Sequence, residues 1–224
     1  MVTRTKTRRN KPVRLGLFGG TFDPIHNAHL RMADAFAAEL ALDEVRLIPA
    51  GRPYHRSHGP YAAPAQRLAM AELAAADHPR LTVDEREVRR PGAAYTIDTL
   101  EELRAELGPA AELWFLIGGD SLAALHTWKR WDELLRFANL AVALRPGFDP
   151  ASLPAPVRPL WRARQVSDFS NRTASGTIRP LALPPVDIAA TDIRQRLARG
   201  DAVDDVLPPA VLAYIRQHRL YQTV

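Results

Sequence analysis

A chain of 224 residues, 46% hydrophobic and 25% charged, can bury one substantial core and has the make-up of a globular protein rather than a fibrous or disordered one. Its formal net charge of +5 is supplied entirely by Arg4, Lys6, Arg8, Arg9 and Lys11, so residues 12–224 are formally neutral. That distribution argues against a nucleic-acid partner, whose binding surface needs its basic excess on the folded body. Zero cysteines exclude disulfides, thiolate metal sites and a cysteine nucleophile. No apolar run approaches the roughly 20 residues that cross a bilayer, and the first residues lack the apolar stretch of a signal peptide. The expectation is a cytoplasmic protein with no membrane partner: a disordered basic tail over residues 1–12, then one domain over 13–224.

In chain order, Val13–Phe18 reads as a short strand ending in Gly19-Gly20, and Ala28–Leu40 as a helix with apolar positions at Leu30, Ala33, Ala37 and Leu40. Val45–Pro49 is a second strand, Gly51–Pro60 a loop, and Pro64–Ala76 a helix containing Leu68, Leu73 and several alanines. Leu81–Val83 is a third strand. Thr96 is placed as the cap of a helix carrying Ile97, Leu100, Leu103 and Leu107, stopped by Gly108-Pro109. Glu112–Ile117 and Asn139–Leu144 are further strands, the first ending at Gly118-Gly119-Asp120 and the second at Arg145-Pro146-Gly147. The stretch 148–180, rich in proline and arginine and without a clear period, reads as a long irregular excursion. Helices over Thr191–Arg199 and Pro208–His218 make residues 186–224 a C-terminal helical portion. The alternation of strand and helix favours an α/β fold, a doubly wound parallel sheet with helices on both faces that collects ligands at the carboxyl ends of its strands.

Gly19-Gly20-Thr21 lets backbone N–H groups approach a ligand closely where a helix then begins with its positive dipole end outward, which outlines a phosphate site. No Gly-Lys pair and no G-x-G-x-x-G spacing occur, so it is neither a Walker loop nor a dinucleotide fingerprint, and an ordinary strand–helix turn competes. His26 and His29, three apart at the helix start, share a face and can donate to phosphate oxygens. A metal pair and two merely structural histidines are the competing readings; His-x-x-His supplies two ligands where zinc usually takes three from the protein.

The segment Gly19–His29, with Phe22, Asp23 and Pro24 between the glycines and histidines, resembles the nucleotidyltransferase signature G-G-x-F-D-P-x-H-x-G-H, in which the two histidines bind the triphosphate; Ala28 stands where the pattern has glycine. From about Arg14 to Tyr221 the chain is similar to the bacterial nicotinate-nucleotide adenylyltransferases. Ala94–Leu100 resembles their S-Y-T-x-D-T-L, which implies that Tyr95 and Thr96 help hold the pyridine carboxylate. Ile117–Leu122 with Trp128–Trp131 resembles G-x-D-S-L and the tryptophan segment beyond it. This implies ring stacking by Trp128, backbone contacts beside Lys129, and a place for Gly118 and Asp120 in the nucleotide crevice. Helix packing is the alternative for both tryptophans and is favoured for Trp131. Pro53-Tyr54-His55-Arg56 resembles P-P-H-K, with Arg56 as the cation. Arg145 follows a strand as in the family, or is a surface arginine. Ile188–Arg194 resembles I-S-S-T-x-I-R, a helix start in which Thr191 and Arg194 would hold the triphosphate, although Ala189 and Ala190 replace both serines.

The resemblance implies a Rossmann-like fold and adenylyl transfer from ATP to nicotinate mononucleotide, a step of NAD biosynthesis, with Mg²⁺ carried on the ATP phosphates. Other acceptors, nicotinamide mononucleotide or phosphopantetheine, and a non-catalytic nucleotide-binding module are the alternatives. A homo-oligomer is compatible with all of them.

Overall fold

The computed structural model describes residues 12–51, 61–144, 147–167, 172–181 and 188–222. Their elements are β1 (Arg14–Gly20), α1 (Asn27–Glu39), β2 (Glu44–Pro49), α2 (Pro64–Ala75), β3 (Leu81–Val83), α3 (Arg86–Arg89), α4 (Thr96–Leu107), β4 (Glu112–Gly118), α5 (Gly119–Ala123), α6 (Leu134–Phe137), β5 (Asn139–Ala143), α7 (Val157–Arg164), β6 (Ile178–Leu181), α8 (Ala190–Arg199) and α9 (Pro209–Gln217). The strands form one sheet in the order β3-β2-β1-β4-β5-β6, and every pairing is parallel.

The alternation of side chains along each strand sorts the core into two layers. In β4, Trp114 and Leu116 face one side and Leu113, Phe115 and Ile117 the other; in β1, Phe18 opposes Leu15 and Leu17. The first layer is covered by Leu30, Ala33, Phe36 and Ala37 of α1, by Met70, Ala71 and Ala74 of α2, and by Val211, Leu212 and Ile215 of α9. The second is covered by Ile97, Leu100 and Leu103 of α4, with α5, α6 and α7 beside it. Helices on both faces explain why the strands read as near-continuous apolar runs. The sequence expectation of a doubly wound parallel sheet holds.

Two local expectations do not. The stretch 148–180 contains α7, whose Val157 and Trp161 are buried, and the edge strand β6, paired with β5. Pro180 lies inside β6, a residue without an N–H that a sheet tolerates at its edge. The cap of α4 is Tyr95, and Thr96 is its first helical residue, with no side chain capping the end. None of the described helices is long and apolar enough to cross a membrane.

Candidate active site

Strand order reverses between β1 and β4, so the connections leaving their carboxyl ends part to opposite faces and open a crevice between them. The β1 side is the segment Gly19–His29. A Cβ on Gly20 would lie 2.6 Å from the Phe22 ring, so only glycine lets the chain fold back over that ring. Phe22 itself adopts a φ of +49°, the left-handed region. Its ring is buried and meets Phe18 and His29 edge to face, at centroid separations of 5.6 and 5.1 Å. Phe22, within the signature, is thus the floor on which His29 rests.

His26 caps α1 in an extended conformation, and its backbone N–H donates to Nδ1 of His29 at 3.2 Å. The two rings stack, 3.7 Å apart and 28° from parallel. Burial, reinforced by the Arg31 charge, holds His26 down at about 4, and burial together with its neighbour pushes His29 well below the usual imidazole range. Both rings are neutral near pH 7. A neutral imidazole that accepts at Nδ1 carries its proton on Nε2, so His29 is left as an Nε2–H donor. Nδ1 of His26 is buried without a protein partner, an unused polar atom beside the glycine turn. Ala28 lies inside α1 and outside the positive-φ residues, so its methyl costs no backbone strain. The N–H of Asn27 donates to the Val206 carbonyl at 2.9 Å, which ties the start of α1 to the connection between α8 and α9.

Arg194 joins the second signature to the first. Its Nη1 donates to the Asp23 carbonyl at 2.7 Å, its Nη2 to Oγ1 of Thr191 at 3.2 Å, and its guanidinium lies 4.5 Å from the centre of the exposed Tyr61 ring. Ala189 is the cap of α8 and provides no side-chain acceptor, so its own side chain caps none of the amides of that helix start. Ile188 is half-buried against the core below.

Two more buried groups brace this turn, and the sequence reading passed over both. Arg67, fully buried, donates to the carbonyls of Thr21 at 2.7 Å, Gly51 at 2.8 Å and Ala62 at 3.3 Å. The Asp23 carboxylate accepts the N–H groups of Tyr61 at 2.8 Å and Ala62 at 3.1 Å and the hydroxyl of Tyr221 at 2.8 Å. An arginine on the core face of an apolar helix was the available signal for the first. Nothing in spacing foretold Tyr221, which is 198 residues from its partner.

Across the crevice, β4 ends at Gly118, where an added Cβ would meet nothing within 4 Å, and Asp120 is exposed in the first turn of α5. Trp128 is half-buried, edge to face with Phe115 at 6.4 Å. Lys129 places its Nζ 3.1 Å from both carboxylate oxygens of Asp98 and 4.5 Å from the Tyr95 ring centre. The start of α4 and the Trp128 segment, 31 residues apart, are thus brought together. Trp131 packs partly on the same core layer. Arg56 and Arg145 lie outside the described residues.

A parallel sheet with imidazole, guanidinium and helix-start donors on one side of its switch point, and an aromatic wall on the other, defines a nucleotidyl-transfer architecture. A family model described as cytidylyltransferase-like matches residues 17–196. The chain is 72% identical to the probable nicotinate-nucleotide adenylyltransferase of Chromobacterium violaceum, an alignment covering 93% of this chain and 99% of that protein. It is 56% identical to the protein of the same description from Laribacter hongkongensis, over 94% and 96% of the two chains. A solved structure of Plasmodium falciparum nicotinic acid mononucleotide adenylyltransferase complexed with NaAD superposes with a TM-score of 0.68 over 93% of this chain and 97% of that one; at 16% identity the likeness concerns the fold. This chain belongs to the cytidylyltransferase-like family and, within it, to the nicotinate-nucleotide adenylyltransferases.

Proposed function

We propose that the chain joins the adenylyl group of ATP to nicotinate mononucleotide, releasing pyrophosphate, and that the crevice between β1 and β4 is where it does so. The observation that carries this is the bond from Arg194 to the Asp23 carbonyl, which ties the α8 cation to the turn that leads into the stacked histidines of α1. In the reaction, a 5′-phosphate oxygen of the mononucleotide bonds to the α-phosphorus of ATP as the bond to the β-phosphate bridging oxygen breaks, and the electron pair leaves with pyrophosphate. The attacking oxygen is already anionic near neutral pH, so no protein base is needed. What the protein supplies is alignment and charge compensation.

The roles divide by position. His29 offers Nε2–H, His26 the single N–H of its neutral ring, and Arg194 with Thr191 and the α8 start meet the β- and γ-phosphates. Gly19, Gly20 and Thr21 give close backbone approach. Gly118 leaves room for the nucleotide and Asp120 accepts from its hydroxyls. Trp128 stacks on the pyridine ring, and Tyr95, Thr96 and the backbone at Lys129 receive its carboxylate. Arg56 and Arg145 are proposed as further phosphate-side and substrate-side cations.

The donor set on the β1 side is N–H rather than carboxylate, and among the described residues no group of three or more metal-ligating side chains gathers. Those residues fit Mg²⁺ held by the substrate's phosphates and water, where it would offset phosphate charge. The test is pyrophosphate release by purified protein with ATP and Mg²⁺ across acceptors. Turnover should be fastest with nicotinate mononucleotide and should collapse in His26→Ala. Equal or faster turnover with nicotinamide mononucleotide or phosphopantetheine overturns the acceptor, and binding of ATP without turnover favours a non-catalytic module.

A further inference from the structure

Gly51, Tyr61 and Ala62 are all fastened to the turn after β1. Gly51 gives its carbonyl to Arg67 at 2.8 Å, and the same guanidinium holds the Thr21 carbonyl at 2.7 Å. Tyr61 and Ala62 give their N–H groups to the Asp23 carboxylate. The residue at 62 is gripped from both sides, its N–H by Asp23 and its carbonyl by Arg67. The main chain of Asp23 takes the Arg194 guanidinium, and Tyr61 lends that guanidinium its ring. One buried side chain, Asp23 at 2% exposed, therefore holds Tyr61 and Ala62 to the turn and with them the ring beneath Arg194.

The carboxylate has a third partner, which shares Oδ1 with Ala62. Tyr221 donates its hydroxyl at 2.8 Å, although the residue sits at a φ of +62°, a region that non-glycine residues occupy where surrounding structure over-determines them. Burial, together with the Asp23 charge beside it, raises the phenol well above its ordinary range, so it remains a donor throughout the working pH range. The Tyr221 ring packs partly on the core layer that α9 also covers, so the hydroxyl is aimed by packing.

We propose that Tyr221 is a positioning residue for the triphosphate. By saturating Oδ1 of Asp23 it fixes the carboxylate rotamer that holds Tyr61 and, through the Asp23 carbonyl and the Tyr61 ring, sets Arg194 toward the leaving phosphates. The inference rests on the adenylyl-transfer reading for its kinetic readout but not for its binding readout.

The experiment is a double-mutant cycle with Tyr221→Phe, which keeps the ring, and Asp23→Asn, read by KM for ATP, KM for nicotinate mononucleotide, and the Kd of ATP with Mg²⁺ by calorimetry. Tyr221→Phe should raise the KM and Kd of ATP roughly tenfold, the scale of one lost charge-assisted hydrogen bond. The KM for the mononucleotide should stay within about twofold. In the Asp23→Asn background the same substitution should add less than about twofold, because its effect passes through that carboxylate. Tyr214→Phe on α9 serves as a control with no expected change in ATP affinity. An unchanged ATP affinity in Tyr221→Phe, equal losses for both substrates, or a full tenfold loss retained in the Asp23→Asn background would each overturn the proposal. If the wild-type protein binds ATP without turning over nicotinate mononucleotide, the functional reading fails, and the Kd cycle still decides the role of Tyr221.

Discussion

At the β1 end of the crevice the groups proposed to meet ligand are held by other protein atoms: His29 by the His26 amide, Arg194 by the Asp23 carbonyl and Thr191, and the turn beneath them by Arg67 and Asp23. At the β4 end the wall is half-exposed, and Lys129 there is already shared between Asp98 and the Tyr95 ring. Preorganised donors cost nothing to reorient as charge moves, which suits the end where the leaving group departs. A flat aromatic wall suits recognition of a ring. The contrast predicts that damage at the two ends will separate cleanly in kinetics.

The largest expected effect is a crossed pair. Arg194→Ala should lower kcat/KM for ATP about 100-fold, since a charge-assisted donor to the departing phosphates is lost. Trp128→Ala should instead raise the KM for nicotinate mononucleotide about tenfold with ATP little changed, the scale of a lost ring–ring contact and its buried area. Steady-state kinetics with each substrate varied checks both. Similar losses toward both substrates in either variant would erase the distinction between the ends.

Next comes the neutrality of the histidine pair. His26 is held at about 4, whereas an unfolded histidine titrates near 6.5. Between those values the unfolded chain binds a proton that the folded chain refuses. Stability is therefore unaffected by this group above pH ~7, is lost as pH falls through the unfolded value, and levels off below the folded one. Thermal melts from pH 7 to pH 4 should show Tm falling in the wild type and falling less in His26→Gln, which cannot titrate. Parallel slopes would mean that His26 is not the buried neutral group described here.

The smallest effect is at α8. Ala189→Ser restores a capping oxygen at a helix start that has none, and should add about 1 kcal/mol. For a chain of this size that is about 3 °C in Tm, measurable by calorimetry.

The same contrast governs what could be read from sequence. The glycine turn, the paired histidines and the helix starts at Thr96 and Thr191 were visible because local spacing specifies them, and their structures follow within a residue. The bracing groups were not visible, because each acts across the chain. Asp23 makes sense only beside Tyr61 and Tyr221, and Arg67 contradicts the apolar face that identifies its helix. Strand β6 was hidden for a different reason. Ile178-Arg179-Pro180-Leu181 carries a proline that argues against a central strand, and only its edge position reconciles the residue with the sheet. Helix α7 has Pro159 in its first turn and three arginines among its eight residues, a composition that masks the Val157–Trp161 stripe.

The stacked imidazoles have one more consequence. Two rings 3.7 Å apart that both carried protons would repel each other, and two that carry none present no net charge to passing anions. An uncharged pair does little to concentrate phosphate-bearing metabolites by long-range attraction. It admits whichever one can place an oxygen on a donor whose direction the neighbouring amide has already set. Discrimination among the cell's many phosphates then begins with the tautomer of His29 rather than with the charge of the pair.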